Sequence, residues 1–422
     1  MWVTMPVAPF VLVTLLLTVA AAGQTAAQWR TQGNAAKAKG DAATAITAFE
    51  NALALEPQSA DLHDEIGFLL AATGRTEDAI ARFEQAIARN PRYAPAYFHL
   101  GVARWLKEDP NRAIPAMQEA VRLDPRNAEY RFRLGVMFSE VNHAAEALEH
   151  LKAAVSAAPR RAEAWNHLGL AHQRLQQREA ARDAFAKAVA LDPKSLEYRD
   201  NYGFMLVDTG AAEKGIAEFR KILAQDPQNL GAEINIGYAH LQKGDFDDAI
   251  RQFRRVLARD PNLPVAHYNL ALALKQKDDL AAAKAEFAEA IRLNPQMVEA
   301  YYTLGITHWQ DGDFARTIDA MQQAVRLKPD YAEAHYMLGT ALKQKGDLEE
   351  ASAALREAIR LQPENPGPYN TLAQILVQRG DREGAKKLFA QAAEVKKKKE
   401  MEQAQRLGTM GPSRPETPQP KR

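Results

Sequence analysis

The chain has 422 residues, 46% of them hydrophobic, and its 54 Lys and Arg against 53 Asp and Glu give a formal net charge of +1. That balance argues against a dedicated nucleic-acid binder, which usually carries a basic face. Cysteine is absent, which excludes disulfides, thiolate metal sites, a cysteine nucleophile and a lipid-modified N-terminal cysteine, while leaving the redox compartment open.

Met1 to Gln28 carries no charged side chain, and Val7 to Ala22 is mostly apolar, ending in the small-residue run Ala20-Ala21-Ala22-Gly23. This is the pattern of a secretory cleavage site, although a basic segment ahead of it is missing and the first cation is Arg30. Residues 1–23 are therefore expected to be a signal peptide, which puts the protein in the periplasm or outside the cell. A retained N-terminal membrane anchor is the alternative, since Met1–Pro9 lengthens a run otherwise short of the about 20 residues that span a bilayer. A misread start would remove both.

A proline then returns every 34 residues, at Pro57, Pro91, Pro125, Pro159, Pro193, Pro227, Pro261, Pro295, Pro329 and Pro363. A fixed period without insertions marks a stacked array whose units contact mainly their neighbours. With the proline at position 32, units start at Ala26, Ala60, Ala94, Ala128, Ala162, Leu196, Leu230, Pro264, Val298 and Ala332, and an eleventh starts at Pro366 without the proline.

Within this frame position 8 is Gly in most units, with Ala271 and Ala373 the exceptions, position 20 is nearly always Ala, and position 24 is Phe, Met or Leu. Positions 4, 7, 8 and 11 fall on one stripe of a first helix, and positions 20, 24 and 27 on one stripe of a second. Small residues at 8 and 20 let the two helices approach closely. Turns such as Lys39-Gly40-Asp41, Lys243-Gly244-Asp245 and Lys345-Gly346-Asp347 lie between them, where Gly stops the first helix and Asp is expected to cap the second. The proline closes the second helix. Pro115 falls inside a helix, where it is expected to remove a backbone hydrogen bond and produce a kink.

This pattern resembles the tetratricopeptide repeat, W-x2-L-G-x2-Y…A-x3-F…P, over about 375 residues. The resemblance implies an all-α fold, a right-handed superhelical solenoid of helix-turn-helix repeats. It covers residues 26–399 as ten full repeats and an eleventh degenerate one. Residues 400–422 are expected to hold the end of a capping helix and a disordered, Pro-rich basic tail.

The sequence contains no H-E-x-x-H, P-loop, G-x-S-x-G or dinucleotide fingerprint, so no enzyme, metal or cofactor is expected. His63, His267 and His335 at position 4, and His172, His240 and His308 at position 11, read as packing residues. Arg379-Gly380-Asp381 spells an adhesion tripeptide but occupies a repeat turn.

By the resemblance, positions 2, 5, 6, 9, 12 and 13 line a concave groove. Position 6 supplies Asn201, Asn235 and Asn269, position 5 supplies Tyr268, Tyr302 and Tyr336, and position 13 supplies Gln242, Gln276, Gln310 and Gln344. An amide offers the donor and the acceptor that a peptide bond needs whatever its side chains. Helices about 8–10 Å apart would set one rung for every third residue of a strand rising about 3.3 Å per residue. The asparagine row is similar to the ladder in the repeats of O-linked N-acetylglucosamine transferases, with three rungs and no transferase domain. The same amides also serve simply to solvate the face. Acidic residues at position 2, among them Asp61, Glu129, Glu163, Glu197, Glu299 and Glu333, would favour basic or neutral ligands or stabilise the helix dipole.

The function expected from these rows is an exported, non-enzymatic scaffold binding extended polypeptide segments of partner proteins within a cell-envelope assembly. A carbohydrate-binding or polysaccharide-export accessory is the alternative, for which the same Tyr, Asn and Gln rows offer stacking and hydroxyl hydrogen bonds. The carboxylate clamp of chaperone-binding relatives is disfavoured, because Glu65 stands where an amide is needed.

Overall fold

The computed structural model describes residues 24–409, and every element in it is helical. The expected signal peptide and residues 410–422 of the tail lie outside the described residues. The chain divides into two compact units, Met1–Thr209 and Gly210–Arg422. The first contains α1 (Ala26–Ala38), α2 (Ala42–Leu55), α3 (Ala60–Ala72), α4 (Thr76–Arg89), α5 (Ala94–Leu106), α6 (Pro110–Leu123), α7 (Ala128–Glu140), α8 (Ala144–Ala157), α9 (Ala162–Arg174), α10 (Arg178–Leu191) and α11 (Leu196–Asp208). The second contains α12 (Ala212–Gln225), α13 (Leu230–Lys243), α14 (Phe246–Arg259), α15 (Pro264–Gln276), α16 (Leu280–Leu293), α17 (Val298–Gln310), α18 (Phe314–Leu327), α19 (Ala332–Lys345), α20 (Leu348–Leu361), α21 (Pro366–Gln378) and α22 (Arg382–Thr409). Odd-numbered helices are the first helices of the 34-residue units and even-numbered ones the second. Within each unit consecutive helices pack in antiparallel pairs, and the pairs stack as a tetratricopeptide-type solenoid.

The close approach of paired helices comes from the small residue at position 8 meeting the bulky one at position 24. A Cβ built on Gly33 would lie 2.5 Å from the Phe49 ring, one on Gly169 2.5 Å from Phe185, and one on Gly237 2.6 Å from Phe253. Phe83, Phe185, Phe219, Phe253 and Phe287 are at most 1% exposed, and Met117, Leu151, Met321 and Leu355 fill the same position at 0%, so each of these repeats is locked by one buried bulky side chain. Phe389, the equivalent residue in α22, is 40% exposed, and among the described residues no first helix follows to cover it.

The turn between the two helices has one conformation throughout. Position 15 takes a positive φ in all eleven units, from 56° at Glu108 to 92° at Gly346. Gly40, Gly244 and Gly346 fill it as expected, while Glu108, Asn142, Gln176 and Asp278 occupy it without a glycine's freedom. Capping by the following aspartate holds at Asp41, which accepts from Thr44 N at 3.0 Å. It does not hold at Asp245 or Asp347, whose helices have no side-chain cap. There the carboxylate turns to the lysine two residues earlier, 2.7 Å away for Lys243 and 3.5 Å for Lys345.

Helix α6 runs unbroken through Pro115. The Arg379-Gly380-Asp381 turn behaves like the others, with Gly380 at φ 86° and Asp381 accepting from Gly384 N at 2.8 Å. Among the described residues no helix is long and apolar enough to cross a membrane.

Candidate ligand-binding face

Each unit presents a face built from its first helices, and the polar groups on it follow a common register. Position 5 of one repeat meets position 6 of the next: Asp64 with His99 at 2.8 Å, Asn166 with Asn201 at 2.9 Å, and Tyr268 with Thr303 at 3.5 Å. Phe132 and His167, at the same two positions, meet edge-on at 5.5 Å.

In the first unit this face is largely stitched together. Arg30 bonds Asp61, Ser59 at 2.7 Å and Glu56 at 2.7 Å. Lys37 reaches Glu65 at 2.6 Å and sits 4.8 Å above the Phe68 ring. Arg161 bonds Glu129 and, at 3.0 Å, Glu163, and its guanidinium lies 3.7 Å over Phe132. Burial alone would raise the Glu129 carboxyl, but the hydrogen bonds from Arg133 and Arg161 hold it below the usual carboxylate range. Asn166, 2% exposed, donates to Glu197 at 2.8 Å while accepting from Asn201. The acidic residues of position 2 in this unit therefore already have partners, and the Asn201 amide is engaged with its neighbour.

The second unit differs. Tyr268, Tyr302 and Tyr336 recur on α15, α17 and α19 and are half-buried, as are Leu272 and Ile306 nearby on the same helices. The Tyr268 ring lies 5.7 Å from Phe287 and the Tyr302 ring 4.8 Å from Tyr331. Tyr336 fits against α21, where a Cβ on Gly367 would fall 2.9 Å from its hydroxyl. Burial raises the Tyr268 and Tyr302 phenols above their ordinary value, so both remain neutral donors at physiological pH. Asn269 is 8% exposed and Asn235 half-buried, whereas Gln242, Gln276, Gln310 and Gln344 are solvent-exposed. Glu299 and Glu333 are exposed at position 2, and among the described residues neither has an ion-pair partner. Chemically this face offers aromatic rings, hydroxyl donors and unneutralised carboxylates.

Tetratricopeptide-repeat models match residues 65–128, 107–140 and 162–195, and the model of the cilia and flagella-associated protein 70 C-terminal domain matches residues 200–408. The chain is a tetratricopeptide-repeat protein. Among solved structures, this repeat protein is similar to MamA, at 31% identity over 39% of this chain and 97% of that one, with a TM-score of 0.38. A tetratricopeptide repeat protein from Parabacteroides merdae matches at 15% identity over 59% of this chain and 98% of that one, with a TM-score of 0.55, which supports the fold alone. Yeast Tom70 matches at 16% identity over 88% and 92%, with a TM-score of 0.45. No curated protein matches. The tetratricopeptide fold is a protein-interaction scaffold.

One regular feature of the repeats escaped the sequence reading, which treated position 4 only as a packing slot. In several repeats its side chain bonds the carbonyl of the proline six residues earlier: Arg131 to Pro125 at 3.1 Å, Trp165 to Pro159 at 2.9 Å, His267 to Pro261 and His335 to Pro329 at 2.9 Å, and Tyr369 to Pro363 at 3.2 Å. Arg, Trp, His and Tyr share nothing in hydropathy but each carries a donor, and that common property was the available signal. His63, His172 and His308 are buried, at 6%, 7% and 8% exposure, while His240, His267 and His335 are half-buried.

His240, Asp245 and Asp248 bring ligand atoms within 4.8 Å of one another. Lys243 at 2.7 Å from Asp245, and Arg251 bonded to Asp248, already neutralise both carboxylates, so the set does not fit a dication.

Proposed function

We propose that the protein is an exported, non-enzymatic scaffold that binds extended segments of partner polypeptides on its first-helix face, mainly in the second unit. The observation carrying this reading is the row Tyr268, Tyr302 and Tyr336 beside unpaired Glu299 and Glu333, in contrast to the first unit, whose polar groups are spent on one another. Tyrosine supplies large contact area at low entropic cost together with a hydrogen-bonding tip. The Gln276, Gln310 and Gln344 amides are exposed near the C-terminal ends of the same three helices, and Gln242 near that of α13, where they would meet the backbone of a bound strand. Export rests on the uncharged, apolar residues 1–23 and their small-residue end, and N-terminal sequencing of the protein from an envelope fraction tests it: intact Met1 would argue for an anchor.

The groove reading is tested on the triple variant Tyr268→Ala, Tyr302→Ala, Tyr336→Ala, measuring both melting and affinity for ligands selected from peptide and glycan arrays. Each tyrosine is expected to contribute about 1–2 kcal/mol of binding. Phe287→Ala, at the buried packing position, should lower stability instead. Loss of stability without loss of affinity in the triple variant would sink the groove, and selection of glycans alone would replace the polypeptide ligand by a carbohydrate one.

A further inference from the structure

The segment 410–422 carries Arg414, Lys421 and Arg422 against Glu416, and Pro412, Pro415 and Pro418 recur in it at every third residue. A polyproline II strand has three residues per turn and rises about 3.1 Å per residue. In that conformation the three prolines would share one edge, about 9 Å apart, with Lys421 next on the same edge, Arg414 on the second edge and Glu416 on the third. The face of the second unit repeats at the same interval. Its tyrosines occur once per repeat on first helices, which pack about 8–10 Å apart, and α17 and α19 touch directly.

Two of the three rungs also carry a charge. Glu299 lies three residues before Tyr302 and Glu333 three before Tyr336, which puts acid and ring on one side of their helix, one turn apart. Both carboxylates are exposed, and among the described residues neither has an ion-pair partner. The Tyr331 ring lies 4.8 Å from that of Tyr302. Burial, and after it Tyr302, Glu333 and Glu299, push the Tyr331 phenol well above its ordinary value, so both acids act on this one group. Lys328 sits 5.1 Å from the centre of the Tyr331 ring but pairs with neither acid. In the Tyr268 rung the corresponding residue is Val265, which is exposed and apolar.

A strand with proline at every third residue and a positive net charge matches this face. Aromatic-lined grooves take polyproline II segments because proline rings pack on them and the strand is already extended, so little entropy is lost. The two acids favour a cationic partner. The chain's own segment falls short. Helix α22 has 28 residues where α20 has 14, and so carries residue 410 about 21 Å past the edge at which the other second helices stop. Pro415, six residues beyond Thr409, reaches back about 20 Å at full extension, and Tyr336 lies a further two helices, about 16–20 Å, to the side.

We propose, resting on the reading of this face given above, that its partner is a second copy of the same chain. The segment 410–422 of that copy lies across Tyr268, Tyr302 and Tyr336 as a polyproline II strand, with Arg414 beside Glu299 and Lys421 beside Glu333. Such a contact joins two different surfaces, so it passes from copy to copy and does not close as a two-fold dimer.

The test uses the full-length protein. Sedimentation at increasing concentration is expected to show mass rising past that of a dimer, and less so at high salt. Residues 410–422, made as a fluorescent peptide with both ends blocked so that no terminal carboxylate takes part, should bind saturably. Tyr302→Ala should weaken the peptide about tenfold, and Pro415→Ala within the peptide should weaken it as well. Glu299→Lys, at an exposed site, should weaken it about threefold or more with unaltered melting, and a peptide carrying Arg414→Glu should recover part of that loss. A chain that stays monomeric at every concentration overturns the proposal even if the peptide binds. Association that neither Tyr302→Ala nor Glu299→Lys changes belongs to another surface and overturns it too. If the peptide fails while array-selected peptides bind in a Tyr302-dependent way, the face keeps its function and only the second-copy partner falls. If no polypeptide binds, both readings fall.

Discussion

Replacing Gln176 by glycine should make the protein more stable. Gln176 holds φ at 57° in the turn between α9 and α10, where the left-handed region costs a residue with a Cβ about 1–2 kcal/mol. Its backbone N–H bonds Gln173 O at 2.9 Å, a contact glycine keeps, and its side chain is exposed. At the equivalent Gly40, Gly74 and Gly210 an added Cβ would meet nothing within 4 Å, so the penalty is one of backbone conformation and not of crowding. Glycine gives back about 0.5–1 kcal/mol through the greater freedom of the unfolded chain, which leaves a net gain of about 0.5–1 kcal/mol. Glu108→Gly, at φ 56°, should gain a similar amount, and Gly74→Ala, at φ 81°, should lose about 0.5–1 kcal/mol by the same balance. In an array, stability is a sum of local terms, so the assay is native-state hydrogen exchange of the amides flanking each turn, supported by thermal melting. Slower exchange around Gln176→Gly and faster exchange around Gly74→Ala are expected. Destabilisation by Gln176→Gly, or an unchanged Gly74→Ala, would refute the argument that backbone strain dominates this turn.

Gly169→Ala should cost about 1–3 kcal/mol by thermal or urea unfolding, because its Cβ would lie 2.5 Å from the Phe185 ring and the core has no room to yield. Phe185→Ala should cost about 3–5 kcal/mol through the cavity it leaves. Tyr369→Phe removes the donor to the Pro363 carbonyl and should cost about 0.5–1.5 kcal/mol with little change in packing, read from the same unfolding curves. The His308 imidazole is held below its ordinary value mainly by burial, with Lys284 and Arg316 acting the same way against Asp313 and Asp311. As pH falls through about 6.5 the unfolded chain takes up this proton before the folded one. Stability should therefore decline from there toward lower pH, and His308→Leu should flatten that part of a melting-temperature-against-pH profile.

The repeat was legible in the amino-acid sequence because its determinants are local. The proline that closes each second helix, the small residue at position 8 and the bulky residue at position 24 all act within a single 34-residue unit, so the period alone fixes helix pairs and their register. The turn conformation was partly legible. Glycine marked position 15 where it occurs, but Glu108 and Gln176 carry no composition signal for a left-handed residue. The use of the polar side chains was decided only by stacking. Neighbouring repeats place position 5 beside position 6, and whether the residues there complement one another depends on two units 35 residues apart. So Asn201, read as a ligand rung, is engaged by Asn166, and Asp61, Glu129 and Glu163 at position 2 are neutralised around Arg30 and Arg161, while Glu299 and Glu333 have no ion-pair partner among the described residues. A sequence states which groups can donate and accept, but a hydrogen bond is made at about 3 Å, and only the packed structure sets which groups come that close.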